Sequence, residues 1–222
     1  MKSKIHENQL KSINIMSTKM ITIIALFVAS IVGAQTPFEQ GMGKALQTWK
    51  DGKSAEAVAQ LERIASVEKT NWLPNYYIAL INTTQAFSEQ DKTKMLSLIE
   101  SAQKAQDVCN DLAQENPEVI VMQAMIHTAS IVYDPMTNGQ KLSSNVLYIL
   151  NKAYKMDPKN PRVVFQKASF EIGMAQYFGQ DTKPMCAQIE KAVELFTTFK
   201  PETALHPSWG LDRAKAELKK CN

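Results

Sequence analysis

Three histidines and three cysteines are the side chains of this 222-residue chain best suited to holding a metal or acting as a nucleophile. Past His6, the histidines are His127, within an apolar run, and His206, just before Pro207. Neither has acids or cysteines at ligand spacings such as H-E-x-x-H or C-x-x-C, which set two donors on one helix face or one turn. His127 therefore reads as a core or groove-edge imidazole ahead of a metal ligand. Cys–His catalysis needs a partly exposed thiolate beside a base, and the penultimate residue, Cys221, is a poor place to hold that geometry. A phosphate loop, a dinucleotide fingerprint and a G-x-S-x-G elbow are all missing from the sequence. The residues thus predict no catalytic site, no cofactor and no metal, and the chain reads as a non-enzyme.

The N-terminus carries an address. "MITIIALFVASIVGAQ", Met20 to Gln35, is an apolar run after Lys19 that ends in Val32-Gly33-Ala34. A basic start, a short apolar stretch and small residues before a cut describe a secretory signal, with cleavage expected between Ala34 and Gln35. The run is shorter than the roughly 18–20 apolar residues that cross a bilayer. No Cys follows the cut, which argues against a lipidated product, and no membrane span is expected after it. Initiation at Met16 would give the compact lead "MSTK". The organisation predicted is a signal peptide over 1–34 and one domain over 35–222, placed in the periplasm or outside the cell.

Removing that segment changes the charge. It holds four Lys and one acid, so of 25 basic and 22 acidic side chains 21 of each remain. Nucleic-acid binders gather a basic surplus on one face, and none is left here, so nucleic acid is discounted as a partner.

The elements that must position any site read as helices. Few glycines follow the signal and no β-branched alternating run stands out. Thr36-Pro37-Phe38-Glu39 combines an N-cap, a first-turn proline and a capping-box acid. Phe38, Met42, Leu46 and Trp49 follow at helical period up to Asp51-Gly52. A second helix starts at Ser54, a third at Asn71, a long fourth spans about 91–114, and a fifth opens at Asn116-Pro117. The fifth, "EVIVMQAMIHTASIVY", is apolar nearly all round, the mark of a helix buried between layers. After a "DPMTNG" loop a sixth runs to Met156, a seventh opens at Asn160-Pro161, an eighth covers about 184–199, and a ninth runs from Ser208 to Cys221.

Asn71, Asn116 and Asn160 each precede an alanine by eight residues, at Ala79, Ala124 and Ala168, and Ala45 sits likewise in the first helix. Asn is a good N-cap, and a small residue two turns in lets a neighbouring helix approach. The alanines are 34, 45 and 44 residues apart, the first spacing being that of a helix-pair repeat and the next two stretched by roughly ten residues. "LQTWKDGKSAEAVAQLERIA" (Leu46 to Ala65) resembles a tetratricopeptide repeat (TPR), with Gly52 at the turn and Ala57, Leu61 and Ile64 inward. "ILNKAYKMDPKN" (Ile149 to Asn160) resembles the end of such a repeat, with Pro158 closing it. With "DPMTNGQK", "DPKNPR" and "HPSWG", the chain also resembles exported Bacteroidetes repeat proteins of unknown function. The fold class implied is all-α: antiparallel helix pairs stacked as a short TPR-like right-handed superhelix, about four pairs plus a C-terminal capping helix.

Three sets of residues are candidates for function or stabilisation. Arrays of this kind expose a concave face built from the first helix of each pair. The resemblance places Met42, Leu46, Trp49, Tyr76, Thr83, Val121, Met125, Thr128 and Phe165 there, either as a groove or as packing between helices. The segment Asp134, Pro135, Met136, Thr137, Asn138, Gly139, Gln140 and Lys141 reads as a surface loop, either a plain turn or a recognition element. Cys186 and Cys221 stand level, about 20 Å from the turn between the last two helices. They form either a disulfide, if the Cα atoms come within about 4.4–6.8 Å, or two separate thiols, since packed axes usually stay about 8–10 Å apart. The function expected is an exported, non-enzymatic module that binds another protein or a peptide segment. The alternative is a structural part of an envelope assembly, using the convex face or the 134–141 segment.

Overall fold

The computed structural model describes residues 35–221, so the expected signal segment, 1–34, and with it Ala34 at the expected cut, lie outside the described residues. The chain divides into two units, 1–40 and 41–222. The described part of the first is the start of helix α1 (Pro37–Lys50). There Thr36 and Glu39 form a reciprocal capping box, the Glu39 amide donating to Thr36 Oγ1 at 3.2 Å and the Thr36 amide to Glu39 Oε2 at 2.7 Å.

The second unit holds the rest of α1 and then α2 (Ser54–Val67), α3 (Leu73–Ala86), α4 (Lys92–Ala113), α5 (Pro117–Tyr133), α6 (Pro135–Met156), α7 (Pro161–Tyr177), α8 (Lys183–Thr198) and α9 (Leu211–Leu218). Among the described residues there is no strand. Consecutive helices pack on one another from α2 to α8, and α9 closes on α8. In addition α3 packs on α5 and α5 on α7, so the first helices of successive pairs form a continuous row.

Local chemistry sets the starts of that row. Asn71, Asn116 and Asn160 accept from the amides two residues on, at 3.0, 2.9 and 3.0 Å, satisfying donors that a helix end leaves orphaned. Pro117 and Pro161 then occupy the first turn, where no amide is needed. Two turns further in, Ala45, Ala79, Ala124 and Ala168 are all buried. Each lets another helix come close where a larger side chain would hold it off. Helix α5 touches α3, α4, α6 and α7, which is why it can be apolar nearly all round.

Two expectations are corrected. Asp134–Lys141 is not a loop: helix α6 begins at Pro135 and contains all of it but Asp134. Asp134 ends α5, its amide donating to Ser130 C=O at 3.2 Å, and caps α6, its carboxylate accepting from Thr137 N at 3.1 Å. Asn138 Nδ2 ties the new turn back to Ser130 C=O at 2.7 Å. The Asp-Pro pair was thus an N-cap signal, stronger than the breaking tendency of Asn-Gly three residues later. The last helix is also shorter than expected. It spans Leu211–Leu218, because Pro207 and Gly210, at φ +116°, hold the residues before it out of helix.

Candidate functional site

The structure gathers polar chemistry at the N-terminal turns of α3, α5 and α7, around two residues the sequence reading passed over. Glu118 and Arg162 each sit two places after an Asn cap. Arg162 is fully buried, and its Nε and Nη2 donate to Glu118 Oε2 and Oε1 at 2.7 and 2.6 Å. Asn160 Nδ2 donates to Glu118 Oε1 at 2.7 Å. Burial alone would lower the Arg162 pKa, but the Glu118 hydrogen bonds and charge outweigh it and hold the guanidinium more firmly protonated than usual. Tyr76 is buried beside the pair, its hydroxyl 3.4 Å from Glu118 Oε2. Desolvation first, and the Glu118 carboxylate second, push its pKa well above the ordinary phenol value.

The connection between α8 and α9 covers this cluster. The guanidinium lies over the Phe199 ring at 4.5 Å, and its Nη1 donates to the Trp209 C=O at 3.3 Å. Trp209 Nε1 donates to Tyr76 Oη at 2.9 Å, and Tyr77 Oη donates to the Leu205 C=O at 2.9 Å. Aromatic edges carry the contact further: His206 meets Trp72, Trp72 meets Tyr76, Tyr76 meets Tyr77, and Tyr77 meets Trp49, with centroids 5.7, 5.3, 5.6 and 6.5 Å apart. The polar members of the cluster, all hydrogen-bonded, come from four separate stretches of chain.

The expected groove residues divide. Met42, Tyr76, Thr83, Val121, Met125 and Phe165 are buried, while Leu46, Trp49 and Thr128 are half-buried. The six are therefore packing between helices, and an open concave lining of all nine is not what this unit presents. Tyr76 is a partial exception, since what buries it includes the chain's own α8–α9 connection. Of the 134–141 segment, Met136 is the exposed apolar residue, at 73%. The aromatic pair Tyr177 and Phe178, at the end of α7, is also exposed.

Cys186 and Cys221 are bonded, with Cα atoms 5.7 Å apart, joining the first turn of α8 to the residues just after α9. Cys109 is a buried free thiol whose pKa burial pushes up to about 12, so it is inert at neutral pH. His127 is half-buried between α5 and α6, with Asn145 Nδ2 3.4 Å from its Nδ1, and burial lowers its pKa. Among the described residues no three His, Cys, Asp or Glu side chains group closely enough to hold a metal, and no helix is long and apolar enough to cross a membrane.

Scans against family models and curated proteins return no match. Solved structures do match. The HusA haemophore from Porphyromonas gingivalis superposes with a TM-score of 0.74 at 23% identity, over 86% of this chain and 96% of that one. A thermophilic TPR protein from Thermus thermophilus gives 0.55 at 10% identity, over 83% of this chain and 98% of that one. The fold is that of a TPR-like helical array. The resemblance read from the Leu46–Ala65 and Ile149–Asn160 segments extends to the tertiary structure, and the capped, alanine-spaced helices form its repeating row. The Glu118–Arg162 pair was open to discovery in one respect: "NPE" and "NPR", 44 residues apart, put opposite charges at equivalent places. What covers the pair left no comparable signal.

Proposed function

We propose that this chain is an exported, non-enzymatic binding module that works through contact with another protein or an extended peptide segment at the cell envelope. The observation that carries this reading is the stacking of helix pairs with their first helices α3, α5 and α7 in a row, the architecture that repeat arrays use to hold extended partners. The apolar leader ending at Ala34 and the Cys186–Cys221 bond support export, because disulfides persist in oxidising compartments. The scarcity of reactive groups supports a binding role: the one free thiol is inert, and the polar cluster is engaged in hydrogen bonds.

In-cell crosslinking of the tagged protein, followed by mass spectrometry, tests the reading. One dominant envelope protein is expected, and recovery of none would remove it. Trp49→Ala is the informative variant, since Trp49 is half-buried on α1 against Tyr77, whereas Tyr76→Ala would also open the core.

A second reading has one observation in its favour. The likeness to a haemophore spans nearly the whole of that protein, which suggests a haem-type ligand on an apolar face here too. Titration of the mature protein with haem decides between them. A saturable shift of the Soret band at micromolar protein would favour the porphyrin, and an unchanged spectrum with a captured protein partner would favour the first reading.

A further inference from the structure

Leu205 to Trp209 have no helical or strand structure, yet they are held by residues of two first helices, α3 and α7. The Leu205 carbonyl accepts from Tyr77 of α3, His206 lies edge-on to Trp72 at the start of α3, and Pro207 is buried. Trp209 gives its indole N–H to Tyr76 of α3 and takes Nη1 of Arg162 of α7 on its carbonyl. Two backbone carbonyls, the imidazole edge of His206, the Pro207 ring and the Trp209 indole make up the contact. This is how an extended peptide is held on a helical surface, with main-chain bonds for affinity and three side chains for selectivity.

We infer that this surface is a docking site for an extended segment of a partner protein carrying Pro and, two residues later, Trp, and that residues 205–209 are a resident stand-in which the partner displaces. The inference rests on the protein-binding reading above and names its surface.

Three features support displacement over permanent closure. The Arg162 bond to the strap is its longest, 3.3 Å against 2.6–2.9 Å to Glu118, so the strap can leave without breaking the ion pair. Glu202, Thr203, Ala204 and Ser208 are exposed, leaving Pro207 as the strap's one buried residue between 200 and 210. Both ends are anchored, at Phe199 by the end of α8 and at Cys221 by the disulfide. The strap can therefore open as a loop while α9 stays docked. A tethered competitor acts at roughly millimolar effective concentration, so the partner's apparent affinity is lowered by the fraction of time the strap is closed.

The probe is a fluorescein-labelled peptide with the sequence of Thr203–Gly210, titrated into the full exported chain and into its Trp209→Ala variant. The variant, if its helical circular dichroism and cooperative unfolding are retained, is expected to bind saturably and about tenfold or more tightly than the unaltered chain. The same peptide with Trp replaced by Ala is expected not to bind. Pro207→Gly serves as a second loosened strap if Trp209→Ala unfolds. Folded variants that take up no peptide at millimolar concentration would overturn the inference. So would a Trp209 indole proton that exchanges with solvent no faster than the core amides of α5 in the unaltered chain. Uptake explained by a dimer of the unaltered chain would make a second copy the occupant and remove the separate partner. An envelope protein crosslinked equally to both chains would overturn the strap while leaving the broader reading intact. Peptide uptake by the variant with no partner captured in cells would overturn the partner along with the broader reading and leave residues 205–209 as an intramolecular closure only.

Discussion

Glu118 and Arg162 stand at the same position of successive repeats, two residues after an Asn cap, and close a two-pronged ion pair across 44 residues of sequence. The pair joins α5 to α7 and, through Tyr76 and Trp209, to α3 and the C-terminal strap.

Removing one partner strands the other's charge or polarity in a dry site. Arg162→Met is expected to cost about 3–5 kcal/mol in urea unfolding. Pairing it with Glu118→Met should recover part of that loss, since two apolar side chains leave no buried charge. Equal losses for the single and double variants would show that the charge is solvated in the folded protein.

The disulfide closes the segment from Cys186 to Cys221, a separation of 35 residues. Chain entropy for a loop of that length gives about 4 kcal/mol of stabilisation, so Cys221→Ser should lower the denaturant midpoint accordingly. Intact mass after alkylation checks the bond itself: denatured protein is expected to offer one thiol, Cys109, before reduction and three after it.

His127 gives stability a slope with pH. Burial lowers its pKa from the ordinary 6.5, so the unfolded chain takes up the proton more readily. Its contribution is complete above the unfolded value and is lost as pH falls through the lowered folded one. His127→Gln should flatten unfolding midpoints measured across that window, and an unchanged slope would assign the effect to other groups.

Gly210 is required twice over. Its φ of +116° disfavours any side chain, and a Cβ there would lie 2.6 Å from Phe196 Cζ. Gly52, at φ +82°, has open space around it. Gly52→Ala is expected to cost about 1–2 kcal/mol, and Gly210→Ala more, with loosening of the Trp209–Tyr76 contact visible in tryptophan fluorescence. Equal costs would mean that Phe196 yields freely.

Much of the fold was legible because it is local. An Asn or Asp side chain reaches amides two or three residues away, a proline fixes its own φ, and an alanine's smallness is visible in one letter. From these the helix starts at Pro117 and Pro161 and the buried row Ala45, Ala79, Ala124, Ala168 could be read directly. Errors arose where two local signals competed. At Asp134–Gly139 the cap and first-turn proline outweighed Asn-Gly, and a helix stands where a loop was expected.

What the sequence by itself determined about this protein is the repeating unit: capped helices with a buried alanine two turns in. Only the tertiary structure decided what those units meet. That Glu118 finds Arg162, that Tyr76 lies beneath Trp209, and that most of the expected groove is interior are all consequences of stacking, which joins residues 44 to 133 positions apart. Helical periodicity fixes which face of a helix turns inward. It carries no information about whether another helix, a partner, or the chain's own last turn will cover that face.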